Sequence, residues 1–423
     1  MGAAREPIDL LVVGSSELAT ARGRSPRAGA ELGRIEVLPR GAVAIDAGRI
    51  VAVGPEPELV AGFSARRTLD ARGGTVVPGF VDAHTHPVFA GTRENEFEQR
   101  TRGATYLEIA RAGGGILSSV SGVRAATEDE LLARLLERLA RFLELGTTTI
   151  EAKSGYGLSL ADELKSLRVI ARANGMQPVE CVATCLGAHD VPPEFRGRRA
   201  DYVALLCDEL LPQVAEQRLA EYCDVFTEAH TFDLADSRRL LTRARELGLG
   251  LRLHADQLSA LGGAELAAEL GAASADHLEH VTERGIEALG RAGVVPVLCP
   301  IVPLYLRQER EAPARRMIDA GLAPALSTDF NPGSCYGQSL PEVLTWAALR
   351  YRMSAAECLT AATLNAACSL GRGAELGTLE PGKRADLVVL DQPNHLHLCY
   401  ELGRNPVRAV VARGRVALER SGP

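Results

Sequence analysis

No run of apolar residues in this chain is long enough for a helix to cross a bilayer. No Cys-x-x-Cys pair occurs among the nine cysteines, so neither a zinc-ribbon nor a thioredoxin-type spacing is present. Cys181, Cys185, Cys223 and Cys299 sit in apolar runs, where a thiol packs as a small hydrophobe. The opening residues, Met-Gly-Ala-Ala-Arg-Glu-Pro, lack the apolar core of a signal peptide. Unpaired thiols and no export signal make a cytoplasmic protein the expectation, with no membrane partner. Positive charge is not in surplus either. The net charge of −7 argues against nucleic-acid binding driven by bulk charge. No Gly-x-Gly-x-x-Gly follows an expected strand, and no Gly-Lys-Ser/Thr follows Gly113-Gly-Gly115. The dinucleotide and phosphate-cradling loops are therefore missing.

What is present is an ordinary globular composition, 46% hydrophobic and 24% charged over 423 residues, too long for one small core. Residues 8–13, 42–46 and 50–53 are short strand patterns with glycine turns, and no helix pattern precedes residue 75. Strand patterns return at 385–390 and 407–412. Both ends are β-rich, so we expect one small β-sandwich domain from residues 1–75 and 376–423, flanking an inserted α/β domain over 76–375. That middle alternates strand and helix. Strands are expected at 77–83, 147–152, 178–184, 223–228, 249–254, 273–277, 294–299 and 324–329. Thr127-Glu-Asp-Glu130 and Ser354-Ala-Ala-Glu357 are capping-box patterns that open two of the helices. Eight alternations predict a (β/α)₈ TIM barrel, whose functional groups gather at the C-terminal ends of its strands.

The histidines fit that expectation. Apart from His395 and His397, every one of the nine lies in the barrel region, at or just past a strand end. His84 and His86 end the first strand, and on a strand residues i and i+2 point to one side. A bare His-x-His is more often a pair of strand-end polar groups, and His395-x-His397 shows how common the pattern is. The company of His84 and His86 raises them above it: His254, His277 and Asp329 each end a later strand. Three imidazoles and a carboxylate, His84, His86, His254 and Asp329, suit Zn²⁺ or Fe²⁺. A metal with an open position lowers the pKa of its water from about 16 to about 7. Asp329 can take a proton and His277 can orient or relay one. His230 and His280 have no evident role, and His395 and His397 are expected to be structural.

Pro78-Gly-Phe-Val-Asp-Ala-His-Thr-His86 and the closing Gly377-Thr-Leu-Glu-Pro-Gly-Lys-Arg-Ala-Asp-Leu-Val-Val-Leu390 resemble the amidohydrolase superfamily. Narrower motifs run almost the length of the chain: Gly91-Thr-Arg-Glu94, Gly113-Gly-Gly-Ile-Leu117, Glu151-Ala-Lys-Ser-Gly-Tyr-Gly157, Leu186-Gly-Ala-His-Asp190, His254-Ala-Asp-Gln257, Ser274-Ala-Asp-His-Leu278 and Ser327-Thr-Asp-Phe-Asn-Pro-Gly-Ser334. They are similar to the branch that opens the ring of 4-imidazolone-5-propanoate, the third step of histidine degradation. The resemblance implies a hydrolase of cyclic amides acting on a small molecule, a homodimer, and one metal per chain, Zn²⁺ or Fe²⁺/Fe³⁺. It implies His84, His86, His254 and Asp329 as metal ligands; by their own chemistry Asp329 and His277 are expected to be catalytic. It also implies Arg93, Tyr156 and His189 against the substrate, with Asn331, Gly333 and Ser334 near its other end. Tyr106 is a further candidate in the Arg93 loop region. An arginine fork is the natural partner of a propanoate.

Two departures bear on the chemistry. Deaminases of the superfamily carry a glutamate three residues after the strand-five histidine. Gln257 stands at that position and cannot shuttle a proton, which leaves it as a hydrogen-bonding contact and counts against deamination. Binuclear members carry a bridging lysine on strand four. The fourth strand ends Thr227-Glu-Ala-His230, and Lys153, after the second strand, is expected only to hold a loop, so one metal is expected. The Gly113–Gly115 run is expected to act as a hinge at the mouth. A neutral nucleobase would give Arg93 nothing to bind, which separates a deaminase from a hydrolase of an anionic cyclic amide. A non-catalytic barrel would be expected to have lost a ligand, and all are present.

Overall fold

Strand-forming sequence at both ends and strand–helix alternation between them resolve into three sheets. The structure, a computed structural model, describes residues 5–105, 108–109 and 112–420. The N-terminal part contributes strands β1 (Glu6–Val13), β2 (Glu17–Thr20), β3 (Glu36–Pro39), β4 (Gly41–Asp46), β5 (Arg49–Pro55), β6 (Phe63–Asp70) and β7 (Thr75–Pro78). The barrel follows as β8 (Phe80–Asp82), β9 (Thr147–Lys153), β10 (Glu180–Ala188), β11 (Tyr222–Thr227), β12 (Gly250–Ala255), β13 (Ser274–His277), β14 (Val295–Leu298) and β15 (Ala325–Leu326). The chain closes with β16 (Leu387–Leu390), β17 (Val407–Ala412) and β18 (Arg415–Glu419).

The two outer sheets, ordered β5-β4-β1-β6 and β18-β17-β16-β7-β2-β3, draw on both ends of the chain. Val76 of β7 lies opposite Val389 of β16, which ties the ends together. Leu10 and Val12, Val43 and Ile45, Val76, Leu387 and Val389, and Val411 are buried in one cluster. Alternate residues of both sheets thus face a shared interior, the packing of a β-sandwich.

The eight central strands pair in chain order, each parallel to the next. The ring closes just past β8 and β15, where Thr85 bridges Phe330 and the His86 N–H donates to the Phe330 carbonyl at 2.8 Å. Helices cover the outside. Helix Glu128–Glu144 begins at the expected capping box: Thr127 Oγ1 accepts from the Glu130 N–H at 3.2 Å, and Glu130 Oε2 accepts from the Thr127 N–H at 2.8 Å. Leu131, Leu135, Leu139 and Phe142 recur at helical spacing and are buried against the barrel. Each such leucine contributes roughly 2 kcal/mol by leaving water. The box at Ser354 and Glu357 forms in the same way.

One expectation fails. A helix, Glu56–Gly62, and a 3₁₀ turn, Gly29–Gly33, precede residue 75. The helix has seven residues with a proline in its first turn and buries only Leu59. So short a segment shows no 3.6-residue repeat; its packing beside β4 and β5 holds it.

Candidate active site

The strand ends bring one group of side chains into the barrel mouth. His84 and His86 follow β8, His254 lies in β12, His277 ends β13 and Asp329 follows β15; all are buried. His84 Nε2 and His86 Nε2 are 3.2 Å apart, and Asp329 Oδ1 lies 3.5 Å from the first and 3.4 Å from the second. The His84 ring centre is 4.5 Å from that of His254 and 5.0 Å from that of His277. Two residues reach inward on strained backbone, His277 at φ +78° and Asp329 at φ +49°. A left-handed conformation is uncommon outside glycine and concentrates at functional sites.

Beneath this group lies a layer of buried charge. Asp276 Oδ2 stands 2.6 Å from His84 Nδ1, and Asp224 Oδ2 stands 2.9 Å from His254 Nδ1. At His84 this is a hydrogen bond, and a carboxylate on Nδ1 fixes the proton there and turns the Nε2 lone pair toward the mouth. Lys153 Nζ binds Asp224 and Glu151, each at 2.6 Å, and lies 3.8 Å from Asp276. Arg252 completes the layer, 3.4 Å from both Glu151 and Asp276. Burial opposes charge on Asp224, yet His254 and Lys153 hold its carboxyl well below the usual range. Lys153 is raised in turn: burial lowers it, and Asp224, Glu151 and Asp276 more than offset this. The expectation that Lys153 holds a loop is therefore corrected. It is the last residue of β9, two along from Glu151, and both side chains enter the barrel interior.

His86, His254, His277 and Asp329 share a cleft with Arg93, Tyr156, His189, Gln257, Asn331 and Ser334. Its apolar wall includes Ile116, Phe226, Leu258 and Leu306. His189 stacks on His86, ring centres 5.0 Å apart at 21°, and its Nδ1 meets the Gly155 carbonyl at 2.9 Å. Burial pushes His189 down to about 3. Asn331 orders the loop after β15: its Nδ2 donates to the Asp329 carbonyl, and its Oδ1 accepts from the N–H groups of Gly333 and Ser334 at 2.8 and 2.7 Å. Gly333 sits behind Arg93. Tyr106 lies outside the described residues. His230 is exposed, and His280 lies beside Arg310, so neither belongs to the cleft.

The amidohydrolase family model matches residues 99–417. The imidazolonepropionase of Symbiobacterium thermophilum is 50% identical, covering 98% of both chains. That of Myxococcus xanthus is 50% identical over 97% of each. This chain belongs to the imidazolonepropionase family of amidohydrolases. Among solved structures, a zinc-bound adenosine deaminase from Xanthomonas campestris superposes with a TM-score of 0.73 at 24% identity, covering 98% of this chain and 94% of its own. Guanine deaminase of E. coli gives 0.71 at 18% identity, over 97% and 99%. At those identities the likeness is one of fold.

The donors at the barrel mouth suit a metal ion. Two triads can each hold an ion, His84 with His86 and Asp329, and His84 with His254 and His277; within each triad the ligand atoms lie within 4.8 Å of one another. Asp329 Oδ1 has no hydrogen-bond donor among the described residues, and burial drives its carboxyl well above the usual range. Lone pairs from two imidazoles and a carboxylate oxygen facing one point at such distances call for a cation, and the donor set fits one. The sequence did not single out Asp224 or Asp276 as supports. Each does stand close before a barrel histidine or on the neighbouring strand, the one signal that could have found them. Arg93 was expected at the mouth; it is buried and paired with Glu96, which the motifs did not mark.

Proposed function

We propose that this chain hydrolyses the cyclic amide of 4-imidazolone-5-propanoate to N-formimidoyl-L-glutamate, with one metal, zinc or iron, at His84, His86, His254 and Asp329. The observation that carries this reading is one cleft lined by both a metal-competent imidazole–carboxylate cluster and a buried arginine. A bound divalent ion would supply Lewis-acid polarisation and an acidified water.

The chain's own groups account for the rest. Arg93 pairs with the propanoate and fixes which end of the ring enters first. Tyr156, His189 and Gln257 orient the ring by contact and hydrogen bonding. Asp329, whose Oδ1 takes no hydrogen bond among the described residues, accepts the proton of the attacking water and returns it to the ring nitrogen. His277, held neutral by burial and nearby positive groups, donates toward the carbonyl oxygen as it gains charge. The water oxygen joins the carbonyl carbon, the ring C–N bond breaks, and the freed nitrogen becomes part of the formimidoyl group. Gln257 weighs against deamination, which needs an acid at that place.

The test is a metal count joined to an assay. Purified protein should carry about one metal per chain. It should also remove freshly generated imidazolone propanoate, followed by ultraviolet absorbance, faster than spontaneous decay and in a chelator-sensitive way. One metal per chain without such activity would move the substrate to another cyclic amide. Neither metal nor activity would overturn the reading.

A further inference from the structure

Arg93 does not reach the cleft as a free side chain. Its Nε and Nη2 donate to Glu96 Oε2 at 3.0 and 2.6 Å, with both residues buried. The other oxygen of the same carboxylate serves a different segment. Glu96 Oε1 accepts from the Gly115 N–H at 3.2 Å and from Ser118 Oγ at 2.8 Å. Gly115 starts helix Ile116–Ala125 at φ +75°, and Ile116 is part of the cleft wall. On its far side the guanidinium lies against Gly333, where a Cβ would stand 2.1 Å from Nη1 and 2.3 Å from Cζ. The Gly333 carbonyl is itself held by Arg100 Nη2 at 2.6 Å. The arginine is thus fixed between a carboxylate and a residue that has to lack a side chain.

We propose that Glu96 is a positioning residue for recognition of the substrate's carboxylate: it orients the Arg93 fork with one oxygen and sets the Ile116 wall with the other. The inference rests on the reading of Arg93 as the propanoate partner. A fork oriented before binding loses less rotamer freedom when the ligand arrives, so the benefit falls only on ligands that use the fork. Gly115, the last of the glycine run, is then tied through Glu96 to the residue that recognises charge, and it carries the Ile116 wall with it.

The test compares kcat/KM for imidazolone propanoate with that for an analogue bearing ethyl in place of the propanoate chain, in the metal-loaded enzyme. The ratio of the two should fall about tenfold in Glu96→Gln, carried by KM for the anionic substrate, and about two- to threefold in Ser118→Ala. Arg93→Met should lower it further than either. A Glu96→Gln ratio within twofold of the parent, or an equal loss on both substrates, overturns the proposal. If Glu96→Gln does not fold, an unchanged ratio in Ser118→Ala overturns it. An unchanged ratio in Arg93→Met removes the propanoate reading of Arg93, and this inference with it.

Discussion

The chain contains the pattern His-x-His twice, and the two copies have opposite fates. His84 and His86 follow a barrel strand, are buried, and present Nε2 atoms 3.2 Å apart toward one carboxylate oxygen. His395 and His397 lie in a turn and at the start of a four-residue helix. Each finds its own acid: His395 Nδ1 meets Glu17 Oε1 at 2.8 Å, and His397 Nδ1 meets Glu401 Oε1 at 3.0 Å. The spacing is the same, but only extended backbone turns i and i+2 to the same side. The first pair also has imidazoles from other strands beside it and carboxylates beneath it. The second has single partners at a partly exposed edge. A two-residue spacing carries chemical meaning only through the backbone that displays it.

The sharpest way to break the comparison is to remove the carboxylate facing each pair. Asp329→Ala should lower kcat/KM by about a thousandfold or more and reduce the metal retained per chain after dialysis. Activity near that of the parent would end the assignment of the site. Next comes the buried layer that only the first pair has. Lys153→Met leaves Asp224 and Glu151 without their shared cation, so urea unfolding should report a loss of about 3–5 kcal/mol. Metal should also leave faster on chelation, because the Asp224–His254 contact loses its anchor; an unchanged off-rate would make the layer purely structural.

The pH dependence of stability gives the comparison a sign. Burial, with neighbouring positive groups, holds His84 and His86 well below their ordinary 6.5, and His189 at about 3. The unfolded chain takes up these protons near 6.5 and the fold does not. Metal-free protein should therefore lose stability as pH falls from 6.5 toward 3, by roughly 1 kcal/mol per pH unit for each imidazole. At the second pair, hydrogen bonds from Arg404 and His397 hold Glu401 at about 2, so its contribution is complete above 4.5 and lost as pH falls through 2. Urea midpoints measured between about pH 7 and pH 5 should register the first effect and not the second. The smallest change is expected of Glu401→Ala: turnover equal to the parent's and a stability loss below about 1 kcal/mol, since the His397 link is partly exposed.

Much of this was legible beforehand because it rests on local rules. Strand and helix periodicity, capping boxes at Thr127 and Ser354, and the succession of eight strands follow from residue types in order. So does the gathering of His84, His86, His254, His277 and Asp329, once a barrel is assumed, because strand ends share one mouth. The short helix Glu56–Gly62 escaped because seven residues carry no repeat. Glu96 escaped because it is an ordinary surface-type residue in a polar stretch, and only the approach of Gly115 and Ser118, some twenty positions on, gives its second oxygen a partner.

The sequence by itself determined the alternation that makes a barrel, the sandwich strands at both ends, and the residue types able to hold a metal and recognise an anion. Tertiary structure alone decided that Lys153 lies in the barrel interior rather than in a loop, that Asp276 aims the His84 imidazole while Asp224 holds the His254 backbone N–H, and that Gly333 leaves room for the Arg93 guanidinium. The physical reason is that these are pairings between strands and loops distant in sequence. Buried charge has to find its partners wherever the closed barrel brings them, and no local pattern records that meeting.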